Sequence, residues 1–309
     1  MAAAKRHSLT LRRMTNATAT PKSDRTIKLR DGRALAFSEW GDLQGKPVVL
    51  FHGTPASRLF CPDEDATEAA GVRLITVDRP GYGRSDPRPG RTLFDWVDDY
   101  GELADFLALS ACPIIGWSGG GPYAMACAVR LPDRVPAIGL AASPGPVAEV
   151  PGALDELAPD DQLVAELWDR DRIAAIAEIE RQCQPWADDP EMVFREMAKA
   201  HPDDHDTQLM VGSGAVEPFQ QMMREGARQG STGWASDHVA GWLTPWGFSL
   251  SDILQEVHVW WGDADRFVSR VNTDYLATTI PRSKLVIYPG EGHSVPLSHW
   301  GEMLRVLST

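Results

Sequence analysis

At 309 residues, 43% of them apolar and 24% charged, with no run of 18 apolar residues, the chain has room for one large domain carrying an insertion. That composition argues against disordered, fibrous and membrane-spanning classes. The net charge of −13 is unevenly spread: the first 23 residues hold five basic and no acidic residues, and the acidic remainder repels nucleic-acid phosphates.

In chain order, Lys5, Arg6, Arg12 and Arg13 sit among serines and threonines, a composition shared by transit peptides and twin-arginine signals. No apolar segment follows Arg12 and Arg13, so residues 1–23 are expected to be a disordered tail and the protein cytoplasmic. Extended runs at Thr26 to Arg30 and Leu35 to Trp40 flank Asp31-Gly32, which accepts the positive φ angles of a hairpin turn. Non-alternating apolar runs follow at Val48 to Phe51, Leu74 to Val77, Pro113 to Trp117, Ala137 to Ala141, Val257 to Trp261 and Leu285 to Tyr288. Such runs suit strands covered on both faces. Between them Leu93, Val97, Tyr100, Leu103 and Leu107 recur at spacings of three and four, which predicts a helix over 92–109. Alternating strands and helices imply an α/β fold with a mostly parallel central sheet flanked by helices.

The alternation lapses between residues 144 and 244, where helical stretches at Asp161 to Arg181 and Pro190 to Ala200 run on without a strand. A helical cap insertion is expected there, leaving 24–143 and 245–309 as the core. Cys61, Cys112, Cys127 and Cys183 are too widely spaced for a close-paired zinc site or a dense disulfide scaffold, and are expected to be reduced and structural.

The sharpest chemical feature is Gly116-Trp117-Ser118-Gly119-Gly120, wedged between the run ending at Trp117 and a helical pattern from Pro122 to Leu131. Glycines two before and two after a serine permit a turn too tight for side chains, and the strained backbone lifts the hydroxyl above the sheet. Ser118 is therefore the candidate nucleophile. His201-Pro202-Asp203-Asp204-His205-Asp206 holds metal-ligand types, but no further ligand cluster accompanies it; a hydrated acidic loop is expected, with no metal and no cofactor.

From this point the chain resembles the α/β-hydrolase family, whose segments recur in the expected order over nearly the whole body. Phe51-His52-Gly53-Thr54-Pro55 is similar to the family's oxyanion loop. The resemblance implies that Thr54 and Gly119 donate backbone N–H groups to a tetrahedral oxyanion, while His52 shapes the loop. Asp78-Arg79-Pro80-Gly81-Tyr82-Gly83-Arg84-Ser85 looks like an architectural loop of the family; it lacks the third glycine and the lysine of phosphate-binding motifs. Trp261-Gly262-Asp263-Ala264-Asp265-Arg266-Phe267-Val268 resembles the segment carrying the acid, selecting Asp265 with Asp263 as competitor, and Gly290-Glu291-Gly292-His293 resembles the turn carrying the base, His293. A serine hydroxyl needs an imidazole to take its proton near neutral pH, and a carboxylate to orient that imidazole.

The implied activity is that of a serine hydrolase acting on a carboxylic ester or lactone through an acyl-serine intermediate, of the EC 3.1.1 type. Serine at the elbow argues against the dehalogenases and epoxide hydrolases that resemble it but place aspartate there. C–C bond hydrolases and iminopeptidases are disfavoured alternatives: Ser294 follows His293 where the former often have Trp, and the elbow reads Gly-Trp-Ser-Gly-Gly rather than the latter's Gly-Gly-Ser-Trp-Gly. A non-catalytic small-molecule receptor on the same fold is the other alternative. The expected partner is an apolar small-molecule substrate, with neither nucleic acid nor membrane insertion. Trp117, Trp234, Trp242 and Trp246 are candidate substrate contacts, with burial in the insertion's own core the competing fate of such aromatics.

Overall fold

The computed structural model describes residues 20–308; the tail expectation, up to residue 19, lies outside the described residues. Among these, eight strands form one sheet: β1 (Ser23–Lys28), β2 (Ala34–Gly41), β3 (Lys46–Phe51), β4 (Val72–Val77), β5 (Ile114–Trp117), β6 (Ala137–Ala141), β7 (Glu256–Gly262) and β8 (Ser283–Tyr288). The spatial order is β1-β2-β4-β3-β5-β6-β7-β8. The first hairpin registers Ser23 against Glu39 and Lys28 against Ala34, and β2 also runs antiparallel to β4; every other neighbour is parallel. Each expected apolar run is found in a strand of this sheet.

The runs fail to alternate because both faces are covered. Val49, Phe51, Ile75 and Val77 point into one apolar layer, with α2 (Leu93–Phe106) and α3 (Gly121–Arg130). Val48, Leu50, Val72 and Leu74 point into the other, with α1 (Glu64–Ala69) and the C-terminal helix. Helix α2 begins where sequence chemistry places it. The Thr92 hydroxyl accepts from the Asp95 N–H at 3.2 Å while the Asp95 carboxylate accepts from the Thr92 N–H at 2.7 Å, satisfying two otherwise orphaned groups.

Between β6 and β7 the chain forms α4 (Pro159–Arg170), α5 (Arg172–Asp188), α6 (Met192–Ala200), α7 (His205–Ser213), α8 (Val216–Gly226) and α9 (Thr232–His238), the last running into a π-helical turn at Val239–Leu243. The continuous stretch expected from Asp161 to Arg181 is broken at Asp171. That residue is extended, and its carboxylate accepts from the N–H groups of Ile173 and Ala174, both at 3.1 Å, so it ends α4 and caps α5. Helices α10 (Arg270–Thr279) and α11 (Val295–Leu307) complete the chain. Among the described residues no helix is long and apolar enough to cross a membrane, and the four cysteines are free thiols.

Leu103 is fully buried on α2, whereas Thr92 caps its exposed start. Urea unfolding is expected to register a loss of about 3 kcal/mol for Leu103→Ala and about 1 kcal/mol for Thr92→Ala.

Candidate active site

Strand β5 ends at Trp117, and the next residue, Ser118, adopts φ 51°, a conformation costing a non-glycine residue about 1–3 kcal/mol. The flanking glycines make that turn possible. A Cβ on Gly116 would lie 2.6 Å from the Gly121 Cα, and one on Gly120 would lie 2.2 Å from the Phe51 carbonyl oxygen. The hydroxyl of Ser118 therefore stands at the head of α3, on the wall of a cavity of about 360 Å³ that His293 also lines. No direct hydrogen bond joins Ser118 to His293 among the described residues; such contacts commonly tighten only around a bound reacting group.

Asp265 and His293 are brought together from the loops after β7 and β8. The Asp265 carboxylate, without solvent exposure, accepts from the N–H groups of Phe267 (2.8 Å) and Val268 (3.0 Å) and from His293 Nδ1 (2.9 Å). This leaves Nε2 of His293 free of the carboxylate. Asp263 is exposed and bonds instead to the Gly290 N–H at 2.5 Å, so the competing acid is engaged elsewhere. Burial works against the imidazolium of His293, but the adjacent Asp265 carboxylate and the charge of Asp206 outweigh it and set its pKa above the usual 6.5.

Asp206 is a residue that sequence reasoning assigned wrongly. Expected in a hydrated acidic loop, it is 3% exposed near the start of α7. Its two carboxylate oxygens accept from the backbone N–H groups of His293 and Ser294, each at 2.8 Å. Two parallel charge-assisted bonds thus tie the histidine's loop to the helical segment. The acidic run expected to be solvated contains a buried clasp because α7 docks it against that loop. Among the described residues no cluster of three His, Cys, Asp or Glu is arranged to hold a metal ion.

Thr54 and Gly119 meet beside Ser118: a Cβ on Gly119 would lie 2.3 Å from Thr54 Oγ1. Behind Thr54 is a fully buried ion cluster. Asp237, from α9, accepts from Thr54 Oγ1 (2.6 Å), Arg79 Nη2 (2.6 Å), Arg91 Nη2 (2.6 Å), Tyr82 Oη (2.8 Å) and Tyr123 Oη (2.7 Å). Burial alone would raise the carboxyl's pKa; the two guanidinium groups override it and hold Asp237 well below the usual carboxylate range. His52, buried beside this cluster, is pushed far below 6.5 by burial and by the charge of Arg79, so it is neutral. Nothing in the sequence marks Arg79, Arg91 and Asp237 as partners; Arg79 and Asp237 stand 158 residues apart.

The rest of the cavity wall is mainly apolar and includes Val164, Trp186, Met210, Phe219, Met223 and Leu243 from the segment between β6 and β7. Trp117, Trp234 and Trp242, the candidate substrate contacts, line it. Trp117 also donates its indole N–H to the His293 carbonyl (3.2 Å) and stacks on Phe60, so it braces the loop of His293. Trp242, delivered by the π-helical turn, stacks on His238. Trp246 is a correction: it does not line the cavity but packs 4% exposed in the main core, ring centroid 5.6 Å from Phe248, its indole N–H bonded to the Gly241 carbonyl. Trp186, which the sequence did not single out, lines the cavity with its ring edge against Trp234. A tryptophan's position in the sequence does not say which side of a helix layer it will occupy. Phe267 stands 62% exposed with its ring centroid 5.0 Å from that of His293.

The family model described as "Alpha/beta hydrolase family" matches residues 48–306. A non-heme chloroperoxidase of Streptomyces lividans is 36% identical over 116 residues, 36% of this chain and 41% of that protein, so the chain spans about two fifths of this relative's length. A 2-hydroxymuconate semialdehyde hydrolase of Pseudomonas sp. (strain CF600) is 26% identical over 265 residues, 82% of this chain and 83% of its own length. An esterase structure from Exiguobacterium antarcticum superposes with a TM-score of 0.66 at 22% identity, over 92% of this chain and 98% of that one.

A base must be neutral to accept a proton, so the acidic limb of any His293-dependent kcat/KM profile is expected above pH 6.5. Asp206→Asn removes a charge that raises that pKa and weakens the clasp; the limb is expected to move to lower pH, with a loss of about tenfold in kcat. Initial rates across pH 5–9 check both.

Proposed function

The chain belongs to the alpha/beta hydrolase family, and from that premise we propose that it is a serine hydrolase cleaving a carboxylic ester or lactone in an apolar small molecule. The observation that carries this reading is the union in one cavity of a strained serine, a histidine locked to a buried aspartate through Nδ1, and Thr54 close against Gly119, the residue after the serine. The nucleophile is the Oγ of Ser118, which attacks the acyl carbon as Nε2 of His293 takes its proton. The negative charge developing on the carbonyl oxygen faces the N–H groups of Thr54 and Gly119. Collapse of the tetrahedral species breaks the acyl–oxygen bond, and His293 hands the proton to the departing alkoxide. Water, deprotonated by the same imidazole, then attacks the acyl-Ser118 ester and releases the acid.

The mainly apolar wall supplied by the segment between β6 and β7 supports an apolar acyl or alcohol group, and that segment acts as the cap over residues 144–244. A cytoplasmic setting is part of the same reading. A relative that spans most of the chain, a 2-hydroxymuconate semialdehyde hydrolase, favours a second reading in which a carbon group leaves from an equivalent tetrahedral species.

Hydrolysis of p-nitrophenyl esters from acetate to decanoate separates these readings. Wild type is expected to turn over short to medium chains, and Ser118→Ala at matched folded concentration is expected to lose at least about 10³-fold in kcat, leaving catalysis by the oxyanion groups and binding alone. Equal silence of both proteins on every ester overturns the general-esterase reading and leaves a lactone, a C–C bond substrate or a non-catalytic receptor.

A further inference from the structure

We infer that Arg79, together with His52, positions the oxyanion N–H of Thr54 by gripping the opposite end of its peptide unit. This rests on the serine-hydrolase reading above. The Gly53 carbonyl and the Thr54 N–H belong to one planar trans peptide, so they point in opposite directions and a bond to one fixes the other. Two donors hold that carbonyl: His52 Nδ1 at 2.7 Å and Arg79 Nη2 at 3.1 Å. Arg79 Nη1 grips the preceding carbonyl, that of His52, at 2.5 Å. The guanidinium therefore spans two successive peptides of the oxyanion loop, which its planar fork can do and a lysine ammonium cannot reproduce.

The effect is both geometric and electronic. A fully buried cation on a peptide oxygen draws electron density from the peptide and makes its N–H a stronger donor. The orientation is set before any substrate arrives, so the donor needs no reorganisation as charge develops. Arg79 is itself held by Asp237 and does not touch the reacting atoms, which makes it a positioning residue. Arg91 offers an internal control: it is as deeply buried and binds the same Asp237, yet its bonds go to Tyr123, Asp237 and Gly233, not to the oxyanion loop.

The test compares Arg79→Lys with Arg91→Lys, each per mole of folded protein, using a p-nitrophenyl ester and an arylboronic acid that forms a charged tetrahedral adduct on serine. Arg79→Lys is expected to lower kcat and boronate affinity together, by roughly tenfold, with KM nearly unchanged, because only the charged tetrahedral form uses the N–H fully. Arg91→Lys is expected to lower thermal stability while leaving both quantities near wild type. Equal losses in the two variants, or wild-type boronate affinity in Arg79→Lys, overturn the inference. Should Arg79→Lys not fold, His52→Gln withdraws the other donor from the same carbonyl with the ion cluster intact. Loss of boronate affinity in His52→Gln, with recovery in His52→Asn, then supports the inference, and unchanged affinity overturns it. A wild type inert toward both ester and boronate overturns the serine-hydrolase reading itself.

Discussion

The carboxylate of Asp237 holds this molecule's arrangement together. It is a single charge with no solvent contact, and five residues on four other parts of the chain converge on it: the loop after β3, the loop after β4, the approach to α2, and α3. Such a buried pair adds little net stability against a well-packed apolar alternative, because both charges must leave water. Its penalty for being mispaired is what matters. Any docking of α9 that displaced Asp237 would strand two guanidinium groups in a dry interior, so the cluster selects one register among the many that apolar contact would tolerate. Met222, Met223, Trp234 and Leu243 supply the non-directional adhesion, and the cluster supplies direction.

That division of labour explains how the two halves of the site are built. The strands fix Ser118 and the loops carrying Asp265 and His293 from within the sheet, using short-range turn chemistry and backbone bonds. The helical segment between β6 and β7 lines the cavity and also reaches back to the sheet's loops at two points: Asp206 on the backbone of His293 and Ser294, and Asp237 on Thr54 and Arg79. Both contacts are carboxylates meeting preorganised donors, and both lie among the most buried parts of the chain.

Much of this was legible before any coordinates. Apolar runs predicted the strands because each strand is covered on both faces, and the glycine spacing around Ser118 predicted the elbow because the steric demand is local. Asp265 was picked out by resemblance to the family's acid-bearing segment, a local signal again. What escaped was long-range. The helix expected over Asp161 to Arg181 is split because Asp171 finds a better use for its side chain as a cap than as a helical residue. Asp206 sits in a run whose composition spells solvent, and only the docking of α7 against the loop after β8 makes burial favourable. Trp246 lies in the core and Trp186, which the sequence did not single out, lies on the cavity wall because aromatic bulk is equally at home in either place.

The clasp between Asp206 and the backbone of His293 and Ser294 bears on how this scaffold can be re-engineered. Grafting a foreign helical segment between β6 and β7 is an obvious route to a new substrate range, since that segment lines much of the cavity. Here the segment is also part of the mount for the imidazole. A transplant chosen for cavity shape alone would leave two N–H groups of the histidine's loop without acceptors, and the chimera would inherit a wider repertoire with a loosened His293. A carboxylate at the head of the grafted α7 is therefore a design constraint independent of the ligand, and the modularity of this architecture ends at that residue.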